Sequence, residues 1–179
     1  APRRPGAAVG SLGSAGLAAW ILALPPDATA TATLFGFRVV PLAVDPAGRT
    51  VAAILAFVAG AAVLFGHGTG ASRRQQSLSL AYVGAGVAAA TVGDWLSLVI
   101  AWEALAVFAT ALVWVSGDTD ARRAGLRYAV YHEVGGVALV GAVLLRFVES
   151  GTFAFGGGVG DGPLALLAAV GIGLNVAFV

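Results

Sequence analysis

Six apolar runs, punctuated by short polar or Gly/Pro-rich stretches, make up nearly the whole chain. Read as helices, they cover residues 10–24, 46–66, 77–92, 94–116, 124–148 and 163–179. The punctuation explains the boundaries. Pro25-Pro26 stops the first run, and Asp45-Pro46 reads as an N-cap followed by proline at the first helical position. HGTGASRRQQ (67–76) is a polar turn, Gly93-Asp94 turns the third run into the fourth, and GDTDARR (117–123) separates the fourth from the fifth. A Gly-rich, slightly acidic stretch (149–163) ends at Pro163, which opens the last run. Between the first two runs, residues 25–45 form a loop with a β-prone piece from Thr33 to Val40. The start of the chain also fits a second pattern, a signal peptide with Ala-Thr-Ala at 30–32 as its cleavage site.

The fourth run, DWLSLVIAWEALAVFATALVWVS, sets the class of the molecule. As a helix of about 23 residues it is roughly 34 Å long, against a hydrocarbon core of ~30 Å. Composition agrees: 59% of the 179 residues are hydrophobic and 11% are charged, where a soluble domain carries about 25% charged residues. The expectation is an all-α, polytopic transmembrane helical bundle of about six spans, forming a single membrane domain over residues 1–179. The net charge of +1 argues against a nucleic-acid partner, and the absence of cysteine removes thiol redox chemistry, iron–sulfur ligation and disulfides within this chain. The two histidines, His67 and His132, are too far apart to suggest a metal site. No metal or cofactor is expected, and no nucleophile–base pair or cofactor fingerprint points to an enzyme. The chain has no initiating Met and stops inside an apolar run at Val179, so a piece of a longer polypeptide is expected.

Charge placement supplies an orientation. With the N-terminus cytoplasmic, the inner loops hold Arg3, Arg4, Arg73, Arg74, Arg122, Arg123 and Arg127, while Arg38, Arg49 and Arg146 fall outside with most of the loop acids. That is the positive-inside bias of alternating spans.

Four polar residues inside the apolar runs are candidates to carry chemistry. Glu103 follows Asp94 by nine positions, which places it about 13 Å along the helix and near mid-membrane. An ionised carboxylate at that depth costs several kcal/mol unless it is paired, protonated or wetted, and such residues mark ion and proton paths. Ala106 and Thr110 share its face, and Trp102 points elsewhere. A structural carboxyl, held by a neighbouring backbone, is the alternative. His132 shares a helix face with Tyr128 and Gly136, and an imidazole inside a bilayer can relay a proton. Glu133 lies about 100° round the same helix. Both also fit a position near the cytoplasmic headgroups, with Glu133 balancing Arg123 and Arg127. Asn175 is the only asparagine, well inside the last run; it can hydrogen-bond Glu103, order water, or act as helix–helix glue. Asp94 and Asp45 read as helix caps, His67 as a solvated loop residue. GGGVGDGP lacks the Lys-[ST] of a phosphate loop.

FGFRVVPLAVDPAGRT, GDWLSLVIAWEALAVFATALVWVS with its Trp-Glu pair, RYAVYHEVGG and GIGLNVAFV follow one another in this order across residues 35–179. In that order they resemble the antiporter-like, proton-conducting membrane subunits: subunits D and A of the multisubunit Na+/H+ antiporter, and the related subunits of respiratory complex I and membrane hydrogenases. The resemblance implies a bundle of about fourteen spans with two inverted five-helix repeats, of which this chain holds the second to seventh. It implies that Glu103 is the family's key intramembrane glutamate. It also implies that Asn175 stands where the family has a lysine, a departure, since the chain contains no lysine at all. His132 is then the nearest basic group.

The function expected is a proton-translocating subunit of a multisubunit cation/proton antiporter in a prokaryotic cell membrane. Its expected partners are other membrane subunits, the lipid bilayer, protons and Na+. Two alternatives stay open: a proton-pumping subunit of a quinone-reducing or hydrogenase complex, and a non-conducting scaffold subunit that kept the fold.

Overall fold

The structure, a computed structural model, describes residues 5–156 and 162–176. Six helices and one β-hairpin follow in the order α1 (Pro5–Ala23), β1 (Thr29–Leu34), β2 (Phe37–Ala43), α2 (Pro46–Thr69), α3 (Arg73–Thr91), α4 (Trp95–Trp114), α5 (Thr119–Ser150) and α6 (Pro163–Val176). Each helix packs mainly on the next in sequence, so the bundle is a serial row folded back and forth. α2, α4 and α5 are each long and apolar enough to cross a membrane, and shorter apolar helical stretches cover Gly10–Ala23 and Pro163–Asn175. Large apolar side chains face outward, Val107 at 60% and Val137 at 69% exposure among them. That inversion suits a surface bathed in hydrocarbon, where outward apolar groups cost nothing.

Side-chain caps set helix ends that hydropathy misplaces. The fifth helix begins at Thr119 rather than 124, because the Asp118 carboxylate accepts from the Ala121 N–H at 2.7 Å and caps the first turn. Arg122 and Arg123 therefore lie on the helix and not in a loop. The third helix begins at Arg73 rather than 77, with Ser72 accepting from the Gln75 N–H at 3.1 Å. The second continues to Thr69, where Gly70 at φ 80° closes it in the left-handed region. His67 thus sits in the last turn of α2. Asp45 and Pro46 start α2 as the sequence implies, with Gly48 N–H donating to the Asp45 carboxylate at 2.6 Å. The first helix starts at Pro5 rather than 10. The last ends at Val176, residues 177–179 lying outside those described.

The loop before α2 folds into an antiparallel hairpin over 29–43, longer than the β-prone piece read from the sequence. Phe35 and Gly36 turn it with φ of 51° and 84°, the two positive values of a type I′ turn. β2 packs on α3 and α4. The anchor is Asp94, only 2% exposed. Its carboxylate caps α4 by accepting from the Ser97 N–H and Oγ–H, each at 2.8 Å, and it also accepts from the Val40 N–H of β2. Around it, Gly93 N–H donates to the Val40 carbonyl at 2.8 Å and Trp95 N–H to the Phe153 carbonyl at 2.9 Å. Gly93 has to be glycine, since a Cβ would lie 2.6 Å from both Ala43 Cβ and Val40 Cγ1. Hairpin, α4 and the segment after α5 are thereby tied at one end of the bundle. Phe37, Phe147 and Phe153 pack there with ring centroids 4.4–5.4 Å apart.

Two apolar clusters hold the row together. Ile21, Ala52, Ala56 and Val87 join α1, α2 and α3. Val99, Leu139, Val143 and Phe153 join α4, α5 and the segment beyond, with Trp102 packed against them. The Trp102 indole packs into this cluster, between α4 and α5.

Candidate functional site

Below the Asp94 anchor, α4 carries Glu103 to the middle of its length, where it meets Gly135 and Gly136 of α5. The Glu103 carboxylate lies directly on Gly136: a Cβ there would collide with Oε1 and come within 3.2 Å of Cδ. Ala106 and Thr110, on the same face of α4, are 3% and 8% exposed. No hydrogen bond or ion pair holds the carboxylate among the described residues.

His132, one turn before Gly136, shares its face and is 7% exposed. Its ring stacks on Tyr128 with centroids 5.8 Å apart and an interplanar angle of 29°. The imidazole also lies against the Trp102 backbone carbonyl, next to Glu103 in the chain. Its Nε2 is buried and has no hydrogen-bond partner among the described residues. Glu133 is exposed on the outer face of α5, yet its carboxylate is within Coulombic range of both Glu103 and His132.

Asn175 reaches α5 from the other neighbour, α6. Its amide lies over Gly135, where a Cβ would be 2.5 Å from Nδ2 and 3.1 Å from Cγ. Nδ2 donates to the Gly171 carbonyl of its own helix at 2.8 Å, while Oδ1 is buried and has no partner among the described residues. Asn175 therefore does not bond Glu103; adjacent positions on a helix point about 100° apart, and the two side chains occupy neighbouring faces of α5. α6 approaches so closely because Gly171 has no side chain: a Cβ there would stand 2.7 Å from Leu139 N and 2.9 Å from the Gly135 oxygen.

The structure thus gathers Glu103, His132, Glu133 and Asn175 around one stretch of α5, residues 132–136. Chemically this is a half-buried carboxylate and an imidazole, both titratable, beside an unpaired amide oxygen. Among the described residues no three His, Cys, Asp or Glu side chains gather as a metal site. Gly135 and Gly136 escaped the reading of the sequence as parts of the site. Their signal was present in the Gly-Gly pair of YHEVGG, but which helices press on it depends on packing.

No family model matches the chain, and no curated protein matches it. Solved structures do. A chain of the Mrp complex from Dietzia sp. DQ12-45-1b superposes with a TM-score of 0.76 at 20% identity, over 94% of this chain and 20% of that one. The chain shares the fold of part of that Mrp-complex chain. A chain of the membrane-bound sulfane sulfur reductase (MBS), an archaeal respiratory membrane complex, superposes with a TM-score of 0.72 at 21% identity, over 84% of this chain and 25% of that one. The present sequence spans only a fifth to a quarter of those chains. Both superpositions fit the helical membrane-bundle fold expected from the sequence.

Proposed function

We propose that the chain is part of a proton-translocating subunit of a multisubunit cation/proton antiporter, exchanging H+ for Na+ across a prokaryotic cell membrane with its N-terminal end cytoplasmic. Glu103 takes up and releases the proton, since it is a carboxylate at mid-membrane depth with no fixed hydrogen-bond partner. His132 relays between Glu103 and the cytoplasmic side: its imidazole is buried, shares the α4–α5 seam with Glu103, and keeps Nε2 free to donate to or accept from a transient water. Asn175, at the position of the family lysine, adds an unpaired acceptor on the α6 side and no charge. Glu133 biases the proton occupancy of both titratable groups through space. The likeness to subunits of multisubunit membrane complexes supports other membrane subunits as partners.

The observation that carries this reading is the Glu103 carboxylate seated on Gly136, one turn from the unpartnered His132 Nε2. The test is Glu103→Gln in the full-length protein within its complex, reconstituted in vesicles. Exchange driven by a pH gradient is expected to fall about a hundredfold or more, the scale of losing a positioned proton-transfer group. Unchanged exchange refutes the role.

A second reading is favoured by the likeness to the sulfane sulfur reductase complex: the same proton path driven by redox chemistry in partner subunits. Co-purification with iron–sulfur subunits, and proton pumping that needs an electron donor instead of a Na+ gradient, distinguish it.

A further inference from the structure

Two adjacent glycines receive two side chains from two different helices. We infer that Gly136 and Gly135 are separate positioning residues, Gly136 setting where the Glu103 carboxylate sits and Gly135 setting where the residue-175 amide sits. The inference rests on the proton-carrying reading of Glu103 and adds to it the part of α5 that fixes the geometry.

A glycine in a helix interior costs about 1 kcal/mol relative to alanine, and two together double that cost. Glycines that serve packing elsewhere in the fold meet backbone or uncharged side chains: Gly171 meets Leu139 N, Gly48 the Ala90 carbonyl, Gly93 the side chains of Ala43 and Val40, and Gly125 the Trp114 indole. Gly136 differs. All three atoms nearest to its missing Cβ belong to the Glu103 carboxylate group: Oε1, Cδ at 3.2 Å and Oε2 at 3.4 Å. The Gly135 position is mixed, with the Asn175 amide at 2.5 and 3.1 Å and the Gly171 oxygen at 3.0 Å. What each glycine admits is a polar head, and both heads lie within about one helical turn of His132. An added methyl at 136 moves the carboxylate along the α4–α5 seam by about an ångström, and displacements of that size cost about a hundredfold where proton or group transfer needs alignment. An added methyl at 135 leaves the carboxylate alone and lifts the amide off α5.

The two seats make a matched prediction of size complementation. Glu103→Asp shortens the side chain by one methylene, about the room a Cβ at 136 requires. In the full-length protein within its complex, Gly136→Ala is expected to lower vesicle exchange about tenfold or more and to move the pH midpoint of exchange. Combining it with Glu103→Asp is expected to bring the rate back above that of Gly136→Ala alone. Gly135→Ala is expected to lower the thermal midpoint of the complex, and Asn175→Ala to recover part of that loss, the contact with the Gly171 oxygen remaining. The crossed pairs, Gly136→Ala with Asn175→Ala and Gly135→Ala with Glu103→Asp, are expected to recover nothing. Complex assembly on native gels is scored for every variant. A Gly136→Ala protein with wild-type rate and pH profile overturns the inference. So does an assembled Gly136→Ala protein that Glu103→Asp fails to improve, or recovery by the crossed pairs, because either marks general packing damage. Loss of assembly in Gly136→Ala that Glu103→Asp does not restore overturns it as well. If Glu103→Gln itself leaves exchange intact, the proton reading fails independently of the glycine seats.

Discussion

Asp94 and Glu103 are two carboxylates on one segment, nine residues apart, and they are held in opposite ways. Asp94 is almost fully enclosed, and three donors converge on it: Val40 N–H, Ser97 N–H and Ser97 Oγ–H. These donors and the positive end of α4 satisfy the acceptor capacity of the buried carboxylate. Glu103 lies on a glycine with no donor among the described residues and a second carboxylate, Glu133, within Coulombic range. A carboxylate whose hydrogen bonds are complete is a structural part, because removing it would strand several donors at once. One with none can gain or lose a proton while breaking nothing in the protein. The same contrast separates the two ends of the bundle: the hairpin end is closed by backbone ties and stacked aromatics, whereas the middle of α5 keeps His132 Nε2 and Asn175 Oδ1 without partners.

Exchanging the roles is the strongest way to break this comparison. Asp94→Ala leaves Val40 N–H and the Ser97 donors without an acceptor and removes the cap of α4. The expected loss is about 2–4 kcal/mol, from roughly 1–3 for stranded buried donors plus about 1 for a cap. It is read as a lowered unfolding midpoint of the purified complex, and a loss under about 1 kcal/mol would mean the anchor is not structural. Glu103→Gln should do the reverse, leaving the midpoint within about 1 kcal/mol of wild type, because no native hydrogen bond is removed. A large destabilisation there would place Glu103 in the same class as Asp94.

The sequence exposes one of these carboxylates far better than the other. Glu103 is legible because a single acid interrupts a membrane-length apolar run, and no tertiary information is needed to see that burial makes it exceptional. Asp94 is legible only as a local cap. Its third donor comes from Val40, 54 residues earlier, and its neighbour Trp95 bonds the Phe153 carbonyl, 58 residues later. Local pattern cannot register such pairings. The hairpin itself was half visible: alternation through Thr29–Leu34 and the Phe35-Gly36 turn carry the signal, but small, exposed side chains give weak hydrophobic contrast. The helices were visible by hydropathy and their ends were not, since caps such as Asp118 and Ser72 lie in polar stretches that read as loop. The glycine seats needed both α4 and α6 to be docked before their purpose could be read.

Asn175 gives a smaller test. Interhelical polar contacts in membranes contribute about 0.6 kcal/mol on average, and here the amide donates within its own helix, to Gly171 four residues back. Asn175→Ala removes that bond and also removes a buried, unpartnered oxygen, so the two effects oppose each other. The expected change in the unfolding midpoint corresponds to less than about 1 kcal/mol. A larger loss would show that Oδ1 has an acceptor role in the assembled complex, and would move Asn175 toward the Asp94 side of the comparison.

Asp118 supplies the smallest effect and isolates capping from burial. It caps α5 as Asp94 caps α4, but at a fully exposed end. The Ala121 N–H holds its carboxyl below the ordinary carboxylate range, with the Ser116 hydroxyl assisting. A lowered folded value means the carboxylate's contribution is complete above the unfolded value of about 3.9 and is lost as pH falls through the folded value. Between neutral pH and about 5 the first turn of α5 should therefore exchange its amide hydrogens with unchanged protection, after correction for the intrinsic pH dependence. Protection at Ala121 and Arg122 should decline only once the pH drops below the ordinary carboxylate range. Asp118→Ala should abolish that acid-dependent step and raise exchange at those amides at neutral pH, leaving the deeper turns from Tyr128 onward unaffected. Loss of protection extending to His132 would mean that the first turns of α5 are coupled to the Glu103 seam, and that an exposed cap can act on the site.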